Sequence, residues 1–285
     1  MKVKHGLVLL CSVLCLMAFC PPVLAHNLWL NPANYYPEVG STVDIGIGWG
    51  HKYPAGRVDQ EVTEDRVAEI IAVDPEGVTV NLAKVSAALY QLKVEKAGAY
   101  LITARTKSGF FTMTPEGRKW GDKKSIPNAV KCTNFHLVAK TAIIAGNDAK
   151  NLSHPAGQPL EVIPLTPLQD LKAGSKLGVK VLFEGKELAD MDVKATYAGF
   201  ETEDVAPHGS PKKDHAEKGQ PEKGHTHGHA KHFPAETVTG DQGQAEISLE
   251  KAGYWMIVLS HKPPYPDKEI CDESMYNTSF TFEVR

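Results

Sequence analysis

The stretch Thr42-Val43-Asp44-Ile45-Gly46-Ile47-Gly48-Trp49 alternates apolar side chains with polar or small ones. A period of two is the signature of a strand that buries one face. Moving outward, residues 100–105, 135–144, 177–183, 193–197, 245–249, 254–259 and 278–284 are similar β-branched or aromatic runs. Turn signals separate them: Pro75-Glu76-Gly77, Lys96-Ala97-Gly98, Glu184-Gly185-Lys186, Asp241-Gln242-Gly243 and Lys251-Ala252-Gly253. No segment sustains an apolar period of 3.6 over four turns. Short strands at such spacing predict an all-β protein built of sandwiches.

The start of the chain reads differently. Lys2 and Lys4 precede a short apolar run over residues 7–19, Pro21 and Pro22 end it, and Val23-Leu24-Ala25 supplies cleavage positions. This is the pattern of a secretory signal over residues 1–25. The run is shorter than the ~20 residues of a membrane helix, and no later stretch is long and apolar enough to span. The expectation is an exported, periplasmic protein that does not span the membrane once cleaved. Cleavage after Ala25 leaves 260 residues and takes two lysines, moving the formal charge from -3 to -5. That balance argues against a nucleic-acid binder. Cleavage also leaves two cysteines, Cys132 and Cys271. In an oxidising compartment the pair reads as a disulfide joining the two halves of the chain; two separate buried thiols are the alternative.

A polar, turn-rich stretch over residues 146–158 divides the mature chain into pieces of ordinary sandwich size. The expected domains are 26–148 and 156–285. Lys96-Ala97-Gly98-Ala99-Tyr100 in the first and Lys251-Ala252-Gly253-Tyr254-Trp255 in the second each lead into a hydrophobic strand, weak support for two related units. Residues 201–236 hold one aromatic residue, Phe233, and four prolines amid Lys, Glu, Gly and His. Such a composition cannot bury enough apolar surface to offset its ordering entropy, so it reads as a His-rich flexible insert in the second domain.

Histidine is the unusual residue, with 12 in the chain. Six fall in the insert, centred on His225-Thr226-His227-Gly228-His229, with His232 close behind. Alternate residues of an extended chain share a face, so His225, His227 and His229 can converge on one ion. Neutral imidazole suits Ni, Co, Zn and Cu. The alternative is a solvated linker that binds metal only adventitiously. The second candidate is His26, which cleavage after Ala25 makes residue one. Its α-amine and imidazole can then chelate a single metal, and Leu28-Trp29-Leu30 would anchor the terminus. A frayed terminal histidine is the alternative. His51 follows a strand, in Gly50-His51-Lys52-Tyr53-Pro54, where sandwich loops cluster. His136 and His261, in or just after strands, read as hydrogen-bonded structural residues. There is no Gly-rich phosphate loop, nucleophile elbow, H-E-x-x-H or C-x-x-C, and the reading is non-enzymatic. The basic cluster around Trp120 (Arg118, Lys119, Lys123, Lys124) reads as a solvated loop.

Ala25-His26-Asn27-Leu28-Trp29-Leu30 and Gly50-His51-Lys52-Tyr53-Pro54 resemble motifs of an uncharacterised bacterial periplasmic family. That family is a domain of unknown function, often described as the periplasmic component of a cobalt or nickel transport system. The run Gly157-Gln158-Pro159-Leu160-Glu161-Val162-Ile163-Pro164 is similar to the start of its second domain, and Thr239-Gly240-Asp241-Gln242-Gly243 to one of its turns. These second-half turns also resemble those of carboxypeptidase-regulatory-like and immunoglobulin-like sandwiches. The resemblance implies a secreted two-domain β protein that captures a divalent transition metal, nickel or cobalt before zinc or copper, for a membrane transporter. On this reading His26 and His51 form a structured site and His225 to His232 a capture arm. Two rivals stand beside it: a non-catalytic interaction module of the cell envelope, and a copper oxidase built on an N-terminal histidine.

Overall fold

The computed structural model describes residues 26–50, 53, 62–63, 65–146, 149–200 and 233–285. The first half carries β1 (Asn27–Pro32), β2 (Thr42–Gly50), β3 (Val67–Val73), β4 (Thr79–Val80), β5 (Ala83–Ser86), β6 (Leu89–Lys93), β7 (Gly98–Thr106), β8 (Gly109–Thr114), β9 (Gly117–Trp120) and β10 (Lys131–Ala145). The second carries β11 (Leu160–Pro164), β12 (Ser175–Phe183), β13 (Lys186–Glu187), β14 (Asp192–Tyr197), β15 (Ala235–Val238), β16 (Gln244–Leu249), β17 (Gly253–His261) and β18 (Glu273–Val284). Two short 3-10 turns, Lys150–Ser153 and Leu168–Asp170, complete the described elements. The protein is all-β. Every run singled out for its alternation lies within a strand. The last residues of the expected insert, Ala235 and Glu236, belong to β15, where they pair with Ala195 and Lys194 of β14.

The two halves meet inside one sheet. Ten strands follow the order β15-β14-β17-β18-β10-β7-β3-β4, with β8 on β10 and β9 on β8. The seam is the parallel pair β10–β18, in register from Thr133↔Glu273 to Thr141↔Thr281. All other strand pairs among the described residues are antiparallel. Two smaller sheets cover the long one: β1-β2-β6-β5 from the first half, and β11-β12-β13 with β16 from the second.

Alternation shows which face each small sheet covers. On β10, Leu137, Ala139, Ile143 and Ala145 enter the first core with Leu28, Ile45, Ile47 and Trp49. Ala142 and Ile144, of opposite parity, enter the second with Val162, Val179 and Trp255. On β7, Tyr100 and Ile102 face the first core, and Ala99 and Leu101 the second. The two small sheets therefore lie on opposite faces of the common sheet, which is buried on both sides along the seam. β7 and β17 hold matching places, each next to the seam strand of its own half, and both open on a glycine with positive φ, Gly98 at 130° and Gly253 at 124°. The shared Lys-Ala-Gly lead-in is the local sequence of that matching turn.

Gly48 shows how tightly β1 lies on β2. It pairs with Trp29, and a Cβ there would sit 2.0 Å from Trp29 Nε1. Only glycine lets the indole cross the strand, from which Trp29 reaches Tyr53 and Met256.

Candidate functional site

β1 bonds to β2 along one edge and turns its other edge to the seam. Ser279 Oγ donates to the Leu28 carbonyl at 2.5 Å and Thr281 Oγ1 to the Leu30 carbonyl at 2.6 Å. On the opposite face β11 is held likewise. Thr278 Oγ1 donates to the Leu160 carbonyl (2.7 Å) and Lys140 Nζ to the Val162 carbonyl (3.0 Å). A strand edge buried without donors would leave its carbonyls unpaired at a cost of about 1–3 kcal/mol each. Lys140 is completely buried and also meets Glu161 Oε1 at 2.6 Å. Glu161 in turn accepts from the amides of Ala156, Gly157 and Gln158. Burial depresses the Lys140 pKa against the pull of Glu161. The pair orients β11 on β10, and its donors and acceptors are spent on structure.

His26 lies at the start of β1. Its ring stacks on Trp49, centroids 5.8 Å apart at 18°, and the Arg66 guanidinium sits 5.1 Å from the same indole. The β1–β2 ladder closes with Asn27↔Gly50. The residue before Asn27 is His26, and the residue after Gly50 is His51. His51, His225, His227, His229 and His232 lie outside the described residues. Among the described residues no group of three or more His, Cys, Asp or Glu side chains comes together to hold a metal ion.

Trp49 Nε1 and Asn277 Oδ1 are among the buried polar atoms that have no hydrogen-bond partner among the described residues. Trp49 is 7% exposed and Asn277 6%. Asn277 stands two residues before Ser279 on the same face of β18, in register with Leu137 of the first core. Nothing in the sequence around it distinguishes it from an ordinary strand residue.

The other strand histidines form a separate group. Tyr276 is in register with His136 on one side and His261 on the other. It stacks on His136 at 4.6 Å and 10°, and Phe183 closes edge-on over Tyr276 and His261. His136 Nε2–H donates to Asn134 Oδ1 at 2.5 Å. Loss of solvation lowers the pKa of both imidazoles. His136 is thus both stacked and hydrogen-bonded, as expected of a strand histidine, whereas His261 is held by an edge-on ring contact.

Cys132 and Cys271 form a disulfide, with S–S 2.06 Å and Cα–Cα 4.9 Å. It joins the start of β10 to the segment entering β18. Beside it Asp272 accepts from the Cys132 amide (2.8 Å) and pairs with Lys123 at 2.5 Å. Lys119 is likewise paired with Glu116, and Arg118 lies over the Phe111 ring. The cluster around Trp120 is thus largely neutralised or stacked.

No curated protein matches the chain. Among solved structures, the D00-D0 domain of Intimin is similar at 13% identity, over 90% of this chain and 99% of that one, with a TM-score of 0.19. The Yersinia pseudotuberculosis adhesin InvE is similar at 14% identity, over 90% of this chain and 58% of that one, with a TM-score of 0.20. The fibronectin(III)-like modules of Clostridium thermocellum CbhA are similar at 9% identity, over 87% and 92% of the two chains, with a TM-score of 0.18. Likenesses this distant carry no argument. The family model described as Domain of unknown function (DUF4198) matches residues 23–263, most of the chain, and the protein belongs to that family.

Proposed function

We propose that this chain is a non-enzymatic, periplasmic β-sandwich protein that captures a divalent transition metal at its mature N-terminus and passes it to a membrane transporter. The observation that carries the reading is the end of the β1–β2 ladder. Its last pair is Asn27↔Gly50, in sequence a histidine precedes Asn27 and another follows Gly50, and the first of them, His26, is stacked on Trp49. Removal of the leader after Ala25 would add an α-amine to the His26 imidazole, giving a chelating pair, and His51 is the third donor proposed. His225, His227, His229 and His232 would serve as a capture arm of lower affinity, because that chain must lose entropy on binding. The resemblance in sequence favours nickel or cobalt. Nitrogen ligands alone favour copper over either, with zinc below copper. Neutral imidazoles would hold the metal near pH 7 and release it as they protonate toward ~pH 6.

Calorimetric titration with Ni(II), Co(II), Cu(II) and Zn(II), on chains whose first residue is His26, tests the proposal. His26→Ala is expected to weaken the tightest site at least tenfold, and replacing the four arm histidines to remove the weaker sites only. Unchanged stoichiometry and affinity in both variants would overturn it.

A second reading, an interaction module of the envelope, is favoured by the β8–β9 hairpin. There Trp120 is 69% exposed while its ring still touches Phe111 and Phe135. Cross-linking in cells that recovers one partner with or without chelator, and loses it in Trp120→Ala, would support that reading over metal capture.

A further inference from the structure

We propose that Asn277 is the residue that receives the new amino terminus. Its buried Oδ1 accepts a hydrogen bond from the α-amino group of His26 and fixes that amine beside the imidazole. The inference rests on the reading above for its premise that His26 becomes residue one.

The seam supplies the geometry. Leu28 meets Ser279 and Leu30 meets Thr281, so β1 runs parallel to β18 at a constant offset. The same offset sets residue 26 level with Asn277. Along an extended strand the N–H and C=O of one residue point to the same edge, and alternate residues repeat it. Asn27, Trp29 and Asn31 pair toward β2, a series that continues with the Ala33 amide on the Asp44 carbonyl. The even residues therefore face β18, and the nitrogen of His26 lies on the edge that already presents the Leu28 and Leu30 carbonyls. At those two levels β18 offers hydroxyls, which are donors for carbonyls. At the level of His26 it offers a carboxamide, which carries an acceptor as well.

That acceptor has no partner, on a side chain 6% exposed. An unpaired buried carbonyl oxygen is costly, and what it lacks is a donor. Before cleavage the His26 nitrogen carries one hydrogen as a peptide amide. After cleavage it is an amine with two or three, free to rotate one onto Oδ1. The surroundings suit a neutral acceptor: the register neighbours of Asn277 are Leu137 on β10 and Ser260 on β17, neither of them ionic.

Thermal unfolding in EDTA, on chains with defined first residues, tests this without metal. Four proteins form a cycle: His26-first and Ala25-retaining chains, each with Asn277 or Asn277→Leu. The substitution is expected to lower the melting temperature of the His26-first chain by about 3–6 °C more than that of the Ala25-retaining chain. Equal losses in both would overturn the proposal. Asn277→Asp guards against a leucine variant that does not fold. Its carboxylate should raise the melting temperature of the His26-first chain relative to the Ala25-retaining one, with the gain shrinking at high salt, and an equal effect on both chains would again overturn it. Metal titration of the same proteins separates the two claims. Coupling without metal binding leaves the role of Asn277 standing and removes metal capture. Metal binding without coupling does the reverse.

Discussion

At the scale of single residues, His136 and His261 show how place determines chemistry. His136 stacks on Tyr276, His261 meets the Phe183 ring edge-on, and partial burial lowers the pKa of each imidazole below the ordinary 6.5. A base depressed in the folded state is protonated first in the unfolded chain. Stability is then full above 6.5 and declines as pH falls from there through the folded values. Between pH 7 and pH 5.5 the melting temperature should fall by about 2 °C more in the native chain than in a His136→Phe/His261→Phe variant. That variant keeps the rings and removes the proton sites, and parallel curves from differential scanning calorimetry would contradict the account. The place of these two histidines in strands was legible from the β-branched and aromatic runs around them. His26 was legible as a candidate because a leader-like run ends before it and an apolar anchor follows. Asn277 was not legible, since its interest comes wholly from what faces it across the seam.

At the scale of elements, β18 carries the organisation. By alternation, Phe280 and Phe282 share one face of β18, and Thr281, Ser279 and Asn277 the other. In the structure both faces are covered, and those residues are 0%, 2% and 6% exposed. The hydroxyls of Thr281 and Ser279 hold the free edge of β1, while Thr278 holds that of β11 from the other side. Thr281→Val keeps the shape and removes the donor, leaving the Leu30 carbonyl unpaired at about 1–3 kcal/mol. Hydrogen exchange followed by mass spectrometry should then quicken across β1 and β2 with little change in β11. Thr278→Val should do the converse, and a uniform change in either variant would refute separate edge-holding. A buried face made of Ser and Thr escapes a hydrophobicity pattern because the pattern counts apolar atoms, whereas an edge-on strand requires donors.

At the scale of the molecule, the two halves share a sheet and a covalent tie. The disulfide closes a separation of 139 residues, and in the chain-entropy view a long loop constrains the unfolded state strongly. Cys132→Ser/Cys271→Ser should lose about 2–5 kcal/mol of unfolding free energy in urea, and an unchanged midpoint would show the β10–β18 ladder alone to be sufficient. Composition, period and turn chemistry determined the β class, the principal strands and the lead-in turns that the halves have in common, because those depend on contacts close in sequence. The parallel seam, the opposite faces taken by the two small sheets, the buried Lys140–Glu161 pair and the meeting of Ser279 and Thr281 with the β1 carbonyls were decided only by tertiary structure. Each depends on residues more than twenty positions apart, whose meeting is set by which edges and faces remain to be covered once the local strands have formed.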